Sequence, residues 1–78
     1  MSASGVANRH YSRLGLTPKE TEVLLLLCDD LSNKEISRRL CITVTTTKVH
    51  TSSIYFKLGV RGRVGAVRWA IREGLVEA

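Results

Sequence analysis

Residues 31–59, LSNKEISRRLCITVTTTKVHTSSIYFKLG, contain two helix starts separated by a turn of only a few residues. Ser32-Asn33-Lys34-Glu35 is a capping box. The Ser32 hydroxyl accepts from the third helical amide, and Glu35 reaches back to the Ser32 amide. Ile36 and Leu40 give this short helix an inward face, with Lys34, Arg38 and Arg39 facing outward or flanking it. It stops near Cys41. A longer helix starts at Thr43. Thr47, Thr51, Ile54 and Leu58 form its core face, and Thr45, Lys48, Val49, Ser52 and Phe56 share the opposite side. The run of threonines disfavours helix, so packing must hold the first turn in place. Gly59 is a stop signal. Two helices joined by a tight turn, the second exposing a polar face, describe a helix-turn-helix.

Outward from this pair, Thr17-Pro18-Lys19-Glu20 is a second capping box with proline in the first helical position. Leu14 and Leu16 precede it and can pack against the start of the helix. Val23, Leu24, Leu26, Leu27 and Cys28 carry that helix's core face. Leu25 makes it nearly apolar all round, so one leucine faces outward or meets a partner. Asp29 and Asp30 end it, unfavourably for acids beside a helix C-terminus. A last helix is expected from about Val64 to Glu73, with Val64, Val67, Ala70 and Ile71 in one stripe, Trp69 off it, and Gly74 closing it. The expectation is an all-α domain, a four-helix bundle containing a helix-turn-helix, over residues 14–78. Residues 1–13, small and polar, read as a flexible tail or linker, and His10 within them gets no role.

Between residues 33 and 72 nine lysines and arginines face a single acid, Glu35. With a net charge of +5 and a pI near 9.8, this balance favours a polyanionic partner, because clustered cations on phosphates release counterions. At 78 residues the chain makes one domain at most and has little material for a catalytic pocket besides a core. No Ser, Asp or second His is placed to form a catalytic set with His50, so no enzyme is expected. Cys28 and Cys41 do not make a disulfide framework, and both are expected as buried thiols. No Cys or His has metal-ligand spacing, so neither metal nor cofactor is expected. The apolar run Val23 to Cys28 is far too short for a membrane, and the N-terminus has no apolar signal core, which reads as cytoplasmic.

Leu16-Thr17-Pro18, Glu22-Val23-Leu24, Leu31-Ser32-Asn33-Lys34-Glu35-Ile36, Thr46, Lys48-Val49-His50 and Lys57-Leu58-Gly59-Val60 occur together in order. This set resembles the LuxR/FixJ/NarL-type DNA-binding domain over roughly residues 14 to 75. The resemblance implies a four-helix effector domain of bacterial transcription regulators, such as a response regulator's output domain. It implies double-stranded DNA as partner, with the helix at about 44–58 in the major groove, and a homodimer on DNA. A sensor or receiver domain and RNA polymerase are further implied partners, and the setting would be cytoplasmic, with the nucleoid.

Carried over position by position, Lys48 and Val49 match the base-reading pair. Lysine can donate to guanine and valine can touch a thymine methyl. Thr45 and Ser52, on the same side of the helix, join them as base readers. Asn33, Lys34, Thr46, His50, Lys57, Arg61 and Arg63 match positions at the DNA backbone. Val64, Val67, Ala70 and Ile71 are expected at a dimer interface, although the same stripe can be core only. Arg38 and Arg39 read as solvating the second helix.

The chain departs from the family pattern in places. Thr47 stands where a larger aliphatic residue is usual, and its hydroxyl needs a partner. Thr51, Ser52 and Ser53 stand where Arg, Lys or Asn is common, which predicts fewer direct contacts. Asp30 replaces a frequent glycine. Phe56 takes a commonly polar position and reads either as a partner contact or as half-buried. The alternative function is a protein-interaction module, using Leu25, Phe56 and the last helix to contact a sensor domain or RNA polymerase, with incidental DNA affinity.

Overall fold

A computed structural model describes residues 15–77. The tail expected over residues 1–13, His10 and Leu14 lie outside the described residues. Within them the chain forms four helices and no strand: α1 Pro18–Cys28, α2 Asn33–Leu40, α3 Val44–Leu58 and α4 Arg63–Arg72. The first three begin as the capping chemistry requires. Thr17 and Ser32 each accept from the amide three residues on, at 3.1 Å in both cases, and Glu20 and Glu35 reach back to the cap amides at 3.0 and 2.8 Å. The Thr43 hydroxyl accepts from the Thr46 amide at 3.0 Å. At α4, Gly62 provides no side-chain cap.

Leu16, Val23, Leu24, Leu27, Ile36, Ile54 and Ala66 form the buried core, with α3 packed against each of the other three helices. The inward faces expected for α1 to α3 are the ones buried, and Leu25 does face outward. In α4 the buried stripe is Ala66 and Ala70, while Val64 and Ile71 are exposed and Val67 is half-buried. Small residues let α4 approach closely, and Trp69 packs against the core from beside the stripe. Cys28 is half-buried and Cys41 exposed, which corrects the expectation of two buried thiols. Cys41 ends α2 at φ 58°, left-handed backbone that costs a non-glycine residue about 1–2 kcal/mol. Asp30 does the same after α1 at φ 65°, in the place where a glycine is usual.

Three buried hydroxyls are satisfied locally. Ser37 donates to the Lys34 carbonyl at 2.7 Å, Thr47 to that of Thr43 at 3.0 Å and Thr51 to that of Lys48 at 3.0 Å. The Thr47 hydroxyl therefore has the partner that its buried position demands.

One buried carboxylate ties the helices together. Glu20, only 6% exposed, accepts from the Thr17 amide at the start of α1 and from two side chains of α3. The Ser53 hydroxyl lies 2.7 Å from one carboxylate oxygen and the Lys57 ammonium 2.7 Å from the other. Lys57 also donates to the Gly15 carbonyl at 2.8 Å. A second tie is Arg63 at the start of α4. Its guanidinium donates to the Leu27 carbonyl at 3.3 Å and to that of Leu31, spanning the end of α1 and the turn before α2.

Burial alone would raise the Glu20 pKa, but hydrogen bonds from Lys57, Ser53 and Thr17 outweigh it and lower the pKa to about 2. The folded-state value thus lies below the ordinary one near 4.5. The carboxylate's stabilisation is full above that ordinary value and is lost as pH falls toward the folded-state value. The expected contribution is about 3 kcal/mol. Urea unfolding measured from neutral pH down to about pH 2 should show this loss, and the Glu20→Gln variant should be less stable at neutral pH with a flatter acid limb.

Candidate nucleic-acid interface

The turn between α2 and α3 is built from backbone. Left-handed Cys41 reverses the chain, and the Ile42 amide donates to the Ser37 carbonyl at 3.0 Å. Thr43 then starts α3. Its hydroxyl accepts the Thr46 amide and donates to the Thr46 hydroxyl at 2.9 Å. These bonds hold a first turn that threonine's low propensity would leave frayed.

Because Thr47, Thr51 and Ile54 are buried, the opposite side of α3 faces solvent. Thr45, Lys48, Val49 and Ser52, expected as base readers, are all exposed on it. Val49 is 62% exposed and Phe56, two turns further on, is 87% exposed. Phe56 is thus not half-buried. Thr46 is exposed and His50 half-buried on the flank of α3. At the start of α2, Lys34 is exposed and Asn33 half-buried, and Arg61 is exposed in the turn before α4. The exposed cations Lys34, Arg38, Arg39, Lys48 and Arg61 sit on the two packed helices of the pair or beside them.

Three expected site residues are placed differently. Lys57, expected at a phosphate, is bonded to Glu20 and Gly15. Arg63, also expected at a phosphate, donates into the turn between α1 and α2. Ala70 is fully buried, so it cannot lie on a dimer surface; it packs α4 onto the core. Exposed Val64 and Ile71, with half-buried Val67, remain on the outside of α4. Val64 and Val67 also line a shallow, mostly apolar hollow with Leu27, Cys28, Asp30 and Arg63. Burial and the neighbouring Asp29 raise the Cys28 pKa, so this thiol stays protonated at neutral pH. Among the described residues no cluster of His, Cys, Asp or Glu could hold a metal, and no helix is long and apolar enough to cross a membrane.

Sequence reasoning missed the tertiary role of Glu20, which the capping box had explained locally. It also missed Ser53 and Arg63 as anchors. Ser53 and Lys57 stand four apart on α3 and so share a face, but nothing in that spacing says which element lies opposite.

A short scaffold helix, a tight turn and a longer helix with its outer side exposed define the helix-turn-helix class of DNA-binding regulators. The chain belongs to the LuxR family of bacterial regulatory proteins, whose family model matches residues 14–70. It is 43% identical over 58 residues to the nitrate/nitrite response regulator NarL of Escherichia coli, a match covering 74% of this chain and 27% of NarL. It is 42% identical over 62 residues to the response regulator VraR of Staphylococcus aureus, covering 80% of this chain and 30% of VraR. Among solved structures it resembles the response regulator ChrA of a heme-sensing two-component system, with a TM-score of 0.73 and 36% identity over 91% of this chain and 38% of ChrA. The chain spans less than a third of the length of these curated relatives, and as little as 7% of a regulator from Mycobacterium bovis.

The two lysines of α3 should separate cleanly. Lys57→Ala leaves Glu20 buried without its cation and should lower unfolding free energy by about 1–3 kcal/mol. Lys48→Ala, on the exposed side, should change it by less than about 0.5 kcal/mol. Urea midpoints of the two variants at neutral pH check both.

Proposed function

We propose that the chain binds double-stranded DNA sequence-specifically as the effector part of a bacterial transcription regulator, with α3 in the major groove. The observation that carries this reading is the joint exposure of Thr45, Lys48, Val49 and Ser52 on the side of α3 turned away from the core. Lys48 donates to guanine O6 or N7, Val49 packs on a thymine methyl, and the hydroxyls of Thr45 and Ser52 bond to either partner of a pair. Asn33 and Lys34 meet a phosphate at the start of α2, where free amides and the helix dipole favour an anion. Thr46, His50 and Arg61 flank the groove on the backbone. Lys57 and Arg63 are left out of this surface and keep the helices in register beneath it.

In this reading two copies bind adjacent half-sites and meet through Val64, Val67 and Ile71 of α4. The presence of response regulators among the relatives supports a receiver domain as the attached partner, with RNA polymerase as a downstream one. The function needs neither catalysis nor a cofactor, and it places the chain in the cytoplasm with the nucleoid. A second reading, a protein-interaction module for a sensor domain or RNA polymerase, draws on Leu25, on Phe56 and on exposed Val64 and Ile71 of α4.

Titration with duplexes selected from a random pool, at two salt concentrations, tests the proposal. Saturable, sequence-selective binding that shifts the resonances of residues 45–52 supports it. A complex with no sequence preference, or one formed only with protein, supports the second reading. Lys48→Ala should weaken the selected duplex by about 1–3 kcal/mol and relax preference at one position. Lys34→Ala should weaken all duplexes alike and reduce the salt slope by about one.

A further inference from the structure

Thr45, Val49, Ser52 and Phe56 follow one another at spacings of four, three and four, which lines them up as one ridge along α3. All four are exposed, and the ridge lies opposite buried Thr47, Thr51 and Ile54. It is the part of the helix farthest from the core, and it carries no charge. Lys48 stands to one side of it. Phe56 is 87% exposed, so its ring contributes almost nothing to packing. A lone exposed apolar residue is ordinary. A phenylalanine and a valine in line on the outer ridge of a helix, in a chain of net charge +5, need a surface that is polyanionic outside and apolar at selected points within. The major groove of DNA is such a surface. Its one apolar group is the C5-methyl of thymine, which side chains such as Phe and Val contact.

We propose that Phe56 reads a second thymine methyl, in addition to the one met by Val49, and is thereby a specificity-determining residue. The inference rests on the groove-binding reading above. Val49 and Phe56 are two turns apart, roughly 10.5 Å along the helix axis. That is about three base-pair steps of roughly 3.4 Å. The preferred site therefore carries two thymines about two to four base pairs apart, with the base pair read by Lys48 beside the first. Phe56 sits where the helix leaves the groove, and its long rigid ring provides the reach that a smaller side chain there would lack.

The test uses the 78-residue chain and a selected duplex whose thymines are replaced one at a time by deoxyuridine, which removes only the methyl. The expected result is two sensitive positions, each weakening binding about three- to fourfold, the worth of one buried methyl group. Phe56→Ala should abolish the sensitivity at one position and leave the other, and Val49→Ala should do the reverse. Phe56→Leu should keep part of it. Uracil sensitivity in Phe56→Ala equal to that of the parent chain at every thymine would overturn the proposal. So would unchanged affinity of Phe56→Ala for every duplex, which would leave the ring to a protein partner. Failure to find any selective duplex would instead remove the groove-binding reading itself, and this contact with it.

Discussion

The Glu20 carboxylate sets the geometry on which the exposed side of α3 depends. It closes the first turn of α1 and holds α3 at two points one turn apart, Ser53 and Lys57. Two contacts on one helix fix its rotation as well as its distance. If α3 rolled about its axis by one residue, about 100°, the line of Thr45, Val49, Ser52 and Phe56 would turn from the outer face to a flank. A shared apolar core resists separation strongly but rolling only weakly, because leucines and isoleucines tolerate small slides. Directed bonds to a buried charge resist both.

Arg63 plays the corresponding part on the other side. Its guanidinium bonds the Leu31 carbonyl in the turn and adds a second donor to the Leu27 carbonyl, which already accepts from the Asp30 amide. The Leu31 carbonyl immediately precedes the Ser32 cap, so the start of α2 is held by the first residue of α4. Among the described cations, then, Lys57 and Arg63 serve the fold, while Lys34, Arg38, Arg39 and Lys48 on the helix pair are exposed. Net charge cannot distinguish these uses, because a lysine beside a buried acid and a lysine facing solvent count alike.

Much of the architecture was legible in the sequence, for local reasons. Both capping boxes name their own partners within four residues, and the αL stop at Gly59 follows from glycine itself. The outward side of α3 could be read because Ile54 and Leu58 mark the inward one. The family motifs then supplied the positions proposed to read bases. The errors fall where chain-distant packing decides. The α4 stripe looked like Val64, Val67, Ala70 and Ile71, yet the close approach of α4 selects the alanines and leaves the larger residues outside. The roles of Lys57 and Arg63 depend on groups more than thirty residues away. Cys41 looked like a buried thiol, but it occupies a turn whose backbone, not its side chain, is the requirement.

The threonine-rich start of α3 has a further consequence. Thr45, Thr46 and Val49 are β-branched, so within a helix each has few rotamers to choose from. The Thr46 hydroxyl is already engaged by Thr43. A surface made of such residues is stiff before it meets anything, and pressing it against another molecule freezes little side-chain motion. Lysine and arginine at the same positions would lose on the order of 2 kcal/mol each in rotamer freedom. What this helix lacks in charge it regains in preorganisation.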